Sequence, residues 1–371
     1  MATLESFLKK IFADEDNLSS NECAMPDPIK TPSPGLNWAL NGGIYPGGIY
    51  CFAGPPSGGK SFMALAAVSE MLKKDKTGVV FWFDAEATFS EHFRDIFLPD
   101  PEDRKRLIIR RSVPMTGSSI FDYFKDTILG MVNDGMNLLA CVVDSVGAFL
   151  CPKESGAKST ENFIMGDLAA YLPKALRLIS GPSKPRLKQG FNGITWIFIS
   201  QVRDNFDPNA QYSGEKYTIP GGKAFAHFAD AQIIFEKIQS KKTGAFNEDQ
   251  KNMNDSSVQI GHRVRAKVQK HKLGPPSRVA EFDIIYDHGV VNQEAEIASL
   301  GIKLGILTKD GNTYYFGDRK IAVGEAKAVE TIAADKELYD QIAARVMSQS
   351  NDEKINPKIL IGEAEDADSD R

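Results

Sequence analysis

Residues 54–61 read GPPSGGKS, which is the most informative segment of the sequence. It matches the pattern G-x-x-x-x-G-K-[ST], follows an apolar segment of strand length (GIYCFAG, 48–54) and opens a segment with helical periodicity (60–75). In that context the glycines let backbone N–H groups curve around phosphate oxygens, and the start of the helix adds partial positive charge. The stretch therefore predicts a phosphate-binding loop between a strand and a helix.

Each part of this loop has an expected role in binding ATP and Mg²⁺. Lys60 is expected to reach the β- and γ-phosphates, and the Ser61 hydroxyl to bind Mg²⁺. The residues expected to contact the nucleotide are Gly54, Pro55, Pro56, Ser57, Gly58, Gly59, Lys60 and Ser61.

The rest of the chain predicts an α/β fold. Between residues 48 and 201 the predicted strands GIYCFAG, GVVFWFDAE, RLIIRRS, LLACVVDS and TWIFISQ alternate with helical stretches near 60–75, 117–133 and 163–180. Such alternation predicts a mainly parallel sheet with helices on both faces. After residue 229 the strands DAQIIFEKI, QIGHRVRAKV and AEFDIIYD follow one another, which predicts an antiparallel extension.

Both ends of the chain are expected to form separate units. An apolar stripe in residues 4–12 predicts a short N-terminal helix, which docks either on its own core or on a neighbouring subunit. From Gln293 a helix, a hairpin around DGNTYYFG and two further helices predict a small C-terminal α/β domain. The predicted units are an N-terminal helix and linker (1–30), the core (31–290), the C-terminal domain (291–350) and an acidic tail (351–371).

Composition and charge narrow the class of protein. The chain has 371 residues, of which 42% are hydrophobic and 25% charged, as is typical of a soluble globular protein. No apolar run approaches the ~20 residues that a membrane-spanning helix needs, and the four cysteines form no C-x-x-C pair, so we expect a cytoplasmic protein with reduced thiols and no membrane contact. The net charge is −5, and five acids lie in the last ten residues, GEAEDADSDR. That tail is either a solvated end or an anion that competes with phosphate for a basic groove.

Three polar residues are expected at the edge of the sheet beside the phosphate-binding loop. Asp144 ends the strand LLACVVD and is expected to orient Mg²⁺ through water. Glu86 follows the strand that ends in Asp84 and is the expected catalytic base, whereas Asp84 is more plausibly a structural acid. Gln201 is expected to hydrogen-bond the γ-phosphate and leads into a long, aromatic-containing loop, so it predicts a nucleotide-sensing switch.

A cationic stretch, VQKHKLGPPSR (268–278), lies in a segment without any acid from Ser256 to Ala280. Lys270 and Lys272 are two residues apart, so their ammonium groups project from one face if the strand continues to Lys272. The sequence leaves three environments for these ammonium groups: solvent, a DNA phosphate, or the γ-phosphate of ATP on a neighbouring subunit.

The order GPPSGGKS, FDAEATF, VVDSVGAF, FISQVR, PGGKAFAHFAD and VQKHKLGPP resembles bacterial RecA recombinases and their phage relatives over residues 31–350. The resemblance implies a RecA-type P-loop NTPase core and an N-terminal helix that docks on the next protomer. It also implies that Phe93 stacks on adenine and that residues 152–165 and 202–220 form two DNA-binding loops. The expected catalytic residues are Glu86, Lys60, Gln201, Lys270 and Lys272, and the expected DNA-binding residues are Met165, Arg203, Phe206, Gly221 and Gly222.

The function implied by this resemblance is that of an ATP-dependent, single-stranded-DNA-binding recombinase. It would form helical filaments, hydrolyse ATP when bound to DNA, and pair and exchange homologous strands with double-stranded DNA during recombination and repair. Single-strand-binding and mediator proteins are the implied accessory partners, in a bacterial or phage-infected cytoplasm. The alternatives are a RecA-fold motor such as a ring helicase, a nucleotide-regulated DNA-coating protein and a small-molecule kinase. Glu86 and Gln201 argue against the coating protein, and no segment resembles the substrate lid of a kinase.

Overall fold

The computed structural model describes residues 25–111, 117–148, 167–186, 190–205, 216–221, 223–238 and 260–349. The predicted N-terminal helix and the acidic tail lie outside these residues. None of the described helices has the length and apolar character needed to cross a membrane.

The strands occur where the sequence predicted them, with four additions. They are β1 (Ile49–Gly54), β2 (Val79–Asp84), β3 (Leu107–Arg110), β4 (Leu138–Asp144), β5 (Thr195–Gln201), β6 (Arg203–Asp204), β7 (Tyr217–Thr218), β8 (Ala231–Ile238), β9 (Gly261–His271), β10 (Val279–Ile285), β11 (Gly289–Val291), β12 (Leu307–Asp310), β13 (Thr313–Phe316) and β14 (Arg319–Val323).

The helices flank these strands, and the longest of them follow the predicted segments closely. They are α1 (Pro34–Ala39), α2 (Lys60–Lys74), α3 (Glu91–Phe97), α4 (Pro101–Lys105), α5 (Gly117–Tyr123), α6 (Leu129–Asn133), α7 (Asp167–Ser183), α8 (Ala224–Phe228), α9 (Gln293–Lys303), α10 (Glu325–Ala334) and α11 (Lys336–Ser348). The segment predicted as one helix over 117–133 contains a π-helical turn, Phe124–Ile128, between α5 and α6.

The nine-stranded main sheet has the order β11-β10-β9-β8-β1-β5-β4-β2-β3. The six strands from β8 to β3 run parallel, and β9, β10 and β11 extend the sheet by antiparallel pairing. The predicted α/β class, with a mainly parallel sheet and an antiparallel extension, is confirmed. β1 lies between β5 and β8, so the loop that follows β1 emerges at the centre of the sheet.

Strand alternation divides the apolar side chains between two cores. Along β1, Tyr50 and Phe52 pack on the face covered by α2, whereas Ile49, Cys51 and Ala53 pack on the opposite face with α7. Successive strand residues point to opposite faces, so one buried strand contributes to both cores. This two-sided burial explains why the parallel strands read as continuous apolar runs.

The C-terminal segment contains one strand more than predicted. The hairpin around DGNTYYFG is β12 and β13, and β14 adds a third antiparallel strand that alternation alone did not reveal, because RKIAV is only partly buried. Ile297, Leu300 and Ile332 of this segment belong to the same buried cluster as α2. The small C-terminal unit therefore shares a continuous apolar core with the main sheet.

A buried carboxyl group joins this C-terminal unit to the core. Glu296 of α9 accepts hydrogen bonds from the Ser33 hydroxyl (2.6 Å) and the Gly35 N–H (2.9 Å), at the N-terminus of α1. A Cβ on Gly35 would lie 2.9 Å from the same carboxylate oxygen, so the contact requires glycine there. Burial raises the pKa of Glu296 to about 8, and Asp283 adds to the rise, against the two hydrogen bonds and the charge of Arg263.

We expect Glu296 to make the stability of the chain pH-dependent. The folded-state pKa of about 8 exceeds the ordinary value of 4.5, so ionisation is harder in the folded chain, and stability falls as the pH rises between those values. In Glu296→Gln the amide oxygen still accepts the Gly35 N–H but does not titrate. The free energy of unfolding of the wild type, relative to this variant, should decrease from pH 5 to pH 8, at up to about 1.4 kcal/mol per pH unit.

Urea unfolding across this pH range measures the difference. Glu294→Gln, on the same helix, is the control and should follow the wild type. Parallel pH profiles for the wild type and Glu296→Gln would contradict the prediction.

Candidate functional site

The phosphate-binding loop is fixed by close contact between its glycines and β8. A Cβ on Gly54 would lie 2.0 Å from the Phe235 carbonyl oxygen, and one on Gly58 would lie 2.6 Å from the same atom. Gly59 has a φ of +89° and directly precedes α2, which begins at Lys60. Only glycine fits at positions 54 and 58 without displacing β8, and the positive φ at position 59 favours glycine there. The loop is therefore held between β1, β8 and the N-terminus of α2.

Lys60 lies inside the loop that it closes. Its ammonium donates to the Pro55 carbonyl oxygen at 2.7 Å, and the residue is 7% exposed. Burial lowers the pKa of Lys60, although the negative charges of Asp144 and Glu86 oppose this effect. The ammonium is thus positioned within the loop of backbone N–H groups, beside two carboxylates.

The residues expected to bind Mg²⁺ lie together. The Ser61 hydroxyl hydrogen-bonds Asp144, and burial raises the pKa of that carboxyl to about 6 against this bond. A hydroxyl and one carboxylate are hard oxygen ligands of the kind Mg²⁺ uses when phosphates supply the rest of its shell. Among the described residues no group of three or more His, Cys, Asp or Glu side chains could hold a metal.

Four strands end beside the Ser61–Asp144 pair. Parallel register places Asp84 opposite Asp144 and Gly54 opposite Gln201, so β2, β4, β1 and β5 all end at one edge. Glu86, just past β2, accepts a short hydrogen bond from the Ser145 hydroxyl and a longer one from the Gln201 amide at 3.4 Å. The expected base and the expected nucleotide sensor are therefore in contact.

Asp84 has the structural role expected of it. Its carboxylate is buried, accepts from the backbone N–H groups of Thr88 (3.0 Å) and Phe89 (3.1 Å), and pairs with Arg111 at 2.7 Å. These bonds hold the turn that carries Glu86.

A cavity of about 320 Å³ opens next to the loop. Its wall contains residues 57–62, together with Phe93, His262, Ile284 and Tyr286. Phe93 packs edge-on against Phe62, with ring centroids 5.2 Å apart. The structure therefore brings Phe93 to the phosphate-binding loop, and its stacking on adenine stays a prediction.

The second expected DNA-binding loop begins directly after Gln201. Arg203 of β6 is exposed and pairs with Thr218 of β7, and the Asn205 N–H donates to the Lys216 carbonyl at 3.0 Å. Gly221 has a φ of +96°, and a Cβ there would lie 2.6 Å from Leu172 of α7. The structure thus pairs the two ends of this loop beside Gln201. Met165, Phe206 and Gly222 lie outside the described residues.

The ammonium groups of Lys270 and Lys272 lie close together, although β9 ends at His271 rather than at Lys272. The Lys270 ammonium donates to the carbonyls of Ala226 and Ala229, and the Lys272 ammonium donates to the Phe228 carbonyl at 3.1 Å. Both cations therefore lie at the C-terminal end of α8, where the helix dipole favours positive charge. Contact with backbone carbonyls of the same subunit was not among the three environments predicted from the sequence.

Asp230 holds this cationic group in place. Its carboxylate accepts from the Ile49 N–H at 2.8 Å, from Lys184 at 2.9 Å and from Lys272 at 3.0 Å. Burial opposes ionisation of Asp230, but these bonds keep its pKa below the ordinary value. No role was predicted for Asp230 or Ser145, although both lie in segments that carry the family resemblance, PGGKAFAHFAD and VVDSVGAF.

Comparison with known proteins identifies the family. The family model described as RecA N-terminal domain matches residues 10–291, and the model described as RecA C-terminal domain matches residues 295–351. The chain belongs to the RecA family. It is 33% identical to Protein RecA of Wolinella succinogenes over 86% of this chain and 82% of that protein. It is also 33% identical to Protein RecA of Helicobacter pylori over 89% of this chain and 86% of that protein.

The expectation of a RecA-type recombinase is thereby confirmed, and the ring helicase alternative is not favoured. Family membership does not test the roles of individual residues. The roles assigned to the catalytic, nucleotide-binding and DNA-binding residues stay predictions, as do the boundaries of the predicted domains.

We expect Asp230→Asn to destabilise the chain by about 2 kcal/mol, because two ammonium groups lose a buried anionic partner. The amide oxygen of Asn still accepts the Ile49 N–H, so the strand contact remains. Glu236→Gln is the matched control: it removes one ion pair, to a Lys216 side chain that is 69% exposed, and should cost under about 0.5 kcal/mol. Urea unfolding measures both, and equal losses would contradict the assignment of Asp230 as the central contact.

Proposed function

We propose that this RecA-family chain is a DNA-dependent ATPase that couples hydrolysis of ATP to pairing and exchange of homologous DNA strands. The contact between Glu86 and Gln201 carries the proposal, because it joins the catalytic edge to the stem of a DNA-binding loop. Gln201 can therefore transmit a change in the bound nucleotide to the DNA-binding loop.

Nucleotide binding uses the loop and its neighbours. The N–H groups of the loop and the start of α2 bind the phosphates, and Lys60 exchanges its Pro55 carbonyl for β- and γ-phosphate oxygens. Ser61 and Asp144 would hold Mg²⁺, with Asp144 acting through water. A bound Mg²⁺ ion would neutralise charge on the phosphates. Phe93 contacts the base.

Hydrolysis requires an oriented water molecule. Glu86 accepts a proton from this water while the oxygen of the water attacks the γ-phosphorus. The bond from the γ-phosphorus to the β,γ-bridging oxygen breaks, and ADP and phosphate leave. Ser145 and Gln201 hydrogen-bond Glu86 and so hold its carboxylate in place. Gln201 hydrogen-bonds the γ-phosphate when ATP is bound, which changes its contact with Glu86.

DNA binds along the two loops. Arg203 supplies a cation for phosphates, Phe206 and Met165 contact bases, and Gly221 and Gly222 let the backbone approach the strand. Each subunit contributes a small patch, and a helical filament repeats it along single-stranded DNA, so weak contacts add up. Homologous double-stranded DNA is the second substrate, with single-strand-binding and mediator proteins as accessory partners.

Assembly depends on Lys270 and Lys272. We assign them to the γ-phosphate of ATP on the neighbouring protomer, which would stabilise charge in trans as an arginine finger does. Their ammonium groups lie together at the end of α8, so both can turn toward one anion. The compartment we propose is the cytoplasm, which suits the free, buried thiols of Cys51 and Cys141.

Substitutions of Lys60 and Glu86 separate binding from hydrolysis. Lys60→Ala should weaken ATP binding by more than about tenfold and abolish nucleotide-dependent DNA binding, because the phosphates lose a charged hydrogen bond. Glu86→Gln should bind ATP and DNA normally but hydrolyse at least about 100-fold more slowly, since it lacks the base.

Calorimetry with ATP and phosphate release with single-stranded DNA measure these effects. Glu91→Gln, an exposed glutamate at the start of α3, is the control and should keep full turnover. Wild-type turnover in Glu86→Gln would rule out Glu86 as the base.

A mixing experiment tests the trans role of the lysine pair. A protein with Lys270→Ala and Lys272→Ala keeps its own phosphate-binding loop, and Lys60→Ala keeps its lysine pair. Neither should hydrolyse ATP alone, but mixed filaments should recover hydrolysis at interfaces that join an intact loop to an intact pair. If mixed filaments form and stay inactive, the lysines act on their own subunit or on DNA.

A further inference from the structure

The cavity beside the phosphate-binding loop contains a polar residue to which neither motif nor resemblance assigned a role. His262 is only 6% exposed and lies on β9, in alternation with the buried Val264 and Ala266. An inward position of this strand would ordinarily carry an apolar side chain. The imidazole is instead part of the cavity wall, together with Phe93, Ile284 and Tyr286.

One nitrogen of this imidazole has a partner and the other does not. Nδ1 lies 3.2 Å from the Tyr286 hydroxyl oxygen, and the two rings are 5.7 Å apart. Nε2 is buried and has no hydrogen-bond partner among the described residues. Leaving a buried polar atom unpaired is unfavourable, so a partner supplied by a ligand would recover free energy that the fold gives up.

The unpaired nitrogen lies on the side of the phosphate-binding loop. It is 4.0 Å from the point where a Cβ on Gly59 would stand, and Gly59 directly precedes α2. Phosphates bind at the N-terminus of that helix. The adjoining wall of Phe93, Ile284 and Tyr286 is aromatic and apolar, which suits the uncharged part of a nucleotide rather than its phosphates.

The charge state of His262 agrees with this placement. Burial lowers its pKa to about 4, and the positive charge of Lys237 on β8 adds to the effect. The ring is therefore neutral near pH 7 and has one N–H and one lone pair. The Tyr286 hydroxyl can donate to Nδ1 or accept from it, so Nε2 is free to take the complementary role.

We propose that Nε2 of His262 hydrogen-bonds the nucleoside part of the bound nucleotide, and that His262 thereby sets affinity for the nucleoside separately from the phosphates. This inference rests on the proposed binding of ATP at the loop. It makes His262 a binding residue for the base or ribose, distinct from the ring contact assigned to Phe93.

The test compares ATP with inorganic tripolyphosphate, which has the phosphates but no nucleoside. His262→Phe keeps a ring and removes both nitrogens, whereas His262→Gln places an amide near the position of Nε2. By calorimetry, His262→Phe should bind ATP about tenfold more weakly than the wild type, and tripolyphosphate within about twofold of it. His262→Gln should restore ATP binding to within about threefold of the wild type.

Thermal unfolding without ligand is the structural control. His262→Phe should unfold at nearly the same temperature as the wild type, because removal of the unpaired Nε2 offsets the loss of the bond between Nδ1 and Tyr286. Equal losses for ATP and tripolyphosphate, or no loss for ATP, would overturn the assignment. If the wild type binds and hydrolyses ATP while His262→Phe binds it equally well, only the inference about His262 fails. If the wild type binds neither compound, the proposed function fails with it.

A second measurement does not depend on how the variants fold. In wild-type protein with ¹⁵N-labelled histidine, the Nε2 resonance of His262, identified by its absence in His262→Gln, should shift on addition of ATP and stay in place with tripolyphosphate. A shift with both compounds, or with neither, would contradict a hydrogen bond to the nucleoside.

Discussion

The carbonyl oxygen of Phe235 is the constraint on which the site depends. It lies so close to the phosphate-binding loop that a side chain at Gly54 or Gly58 would collide with β8. Because β8 is itself fixed by parallel pairing with β1, the loop cannot move away from the sheet without breaking that pairing. The position of Lys60 and the start of α2 follow from this contact.

The parallel sheet brings the polar residues of the site together. Asp144, Glu86 and Gln201 are far apart in the chain, yet they meet because β2, β4 and β5 all end at the edge from which the loop emerges. Ser145 completes the group by donating to Glu86. Gln201 also leads directly into the paired stem of the expected DNA-binding loop, so the expected nucleotide site has a short covalent path to that loop.

A second connection runs through Asp230. Lys184 follows α7 directly, and Lys272 follows β9, and both ammonium groups bind the same carboxylate, which also holds the start of β1. α7 and α8 each come directly after one of the two expected DNA-binding loops. Lys272, the residue after α7 and the strand that leads to the phosphate-binding loop thus share one buried anion.

The sequence by itself determined the class of fold and the phosphate-binding loop, because strand alternation, helical periodicity and glycine spacing are local properties of the chain. It also placed Glu86, Asp144 and Gln201 at strand ends, since parallel strands that alternate with helices must end at a common edge. Only the tertiary structure showed that Glu86 contacts Gln201 and that Lys270 and Lys272 lie at the end of α8. It also showed that β14 is the third strand of the C-terminal sheet. Ser145, Asp230 and His262 stayed hidden in the sequence because their partners are distant in the chain. A hydrogen bond between distant segments depends on register and packing, which no local pattern records.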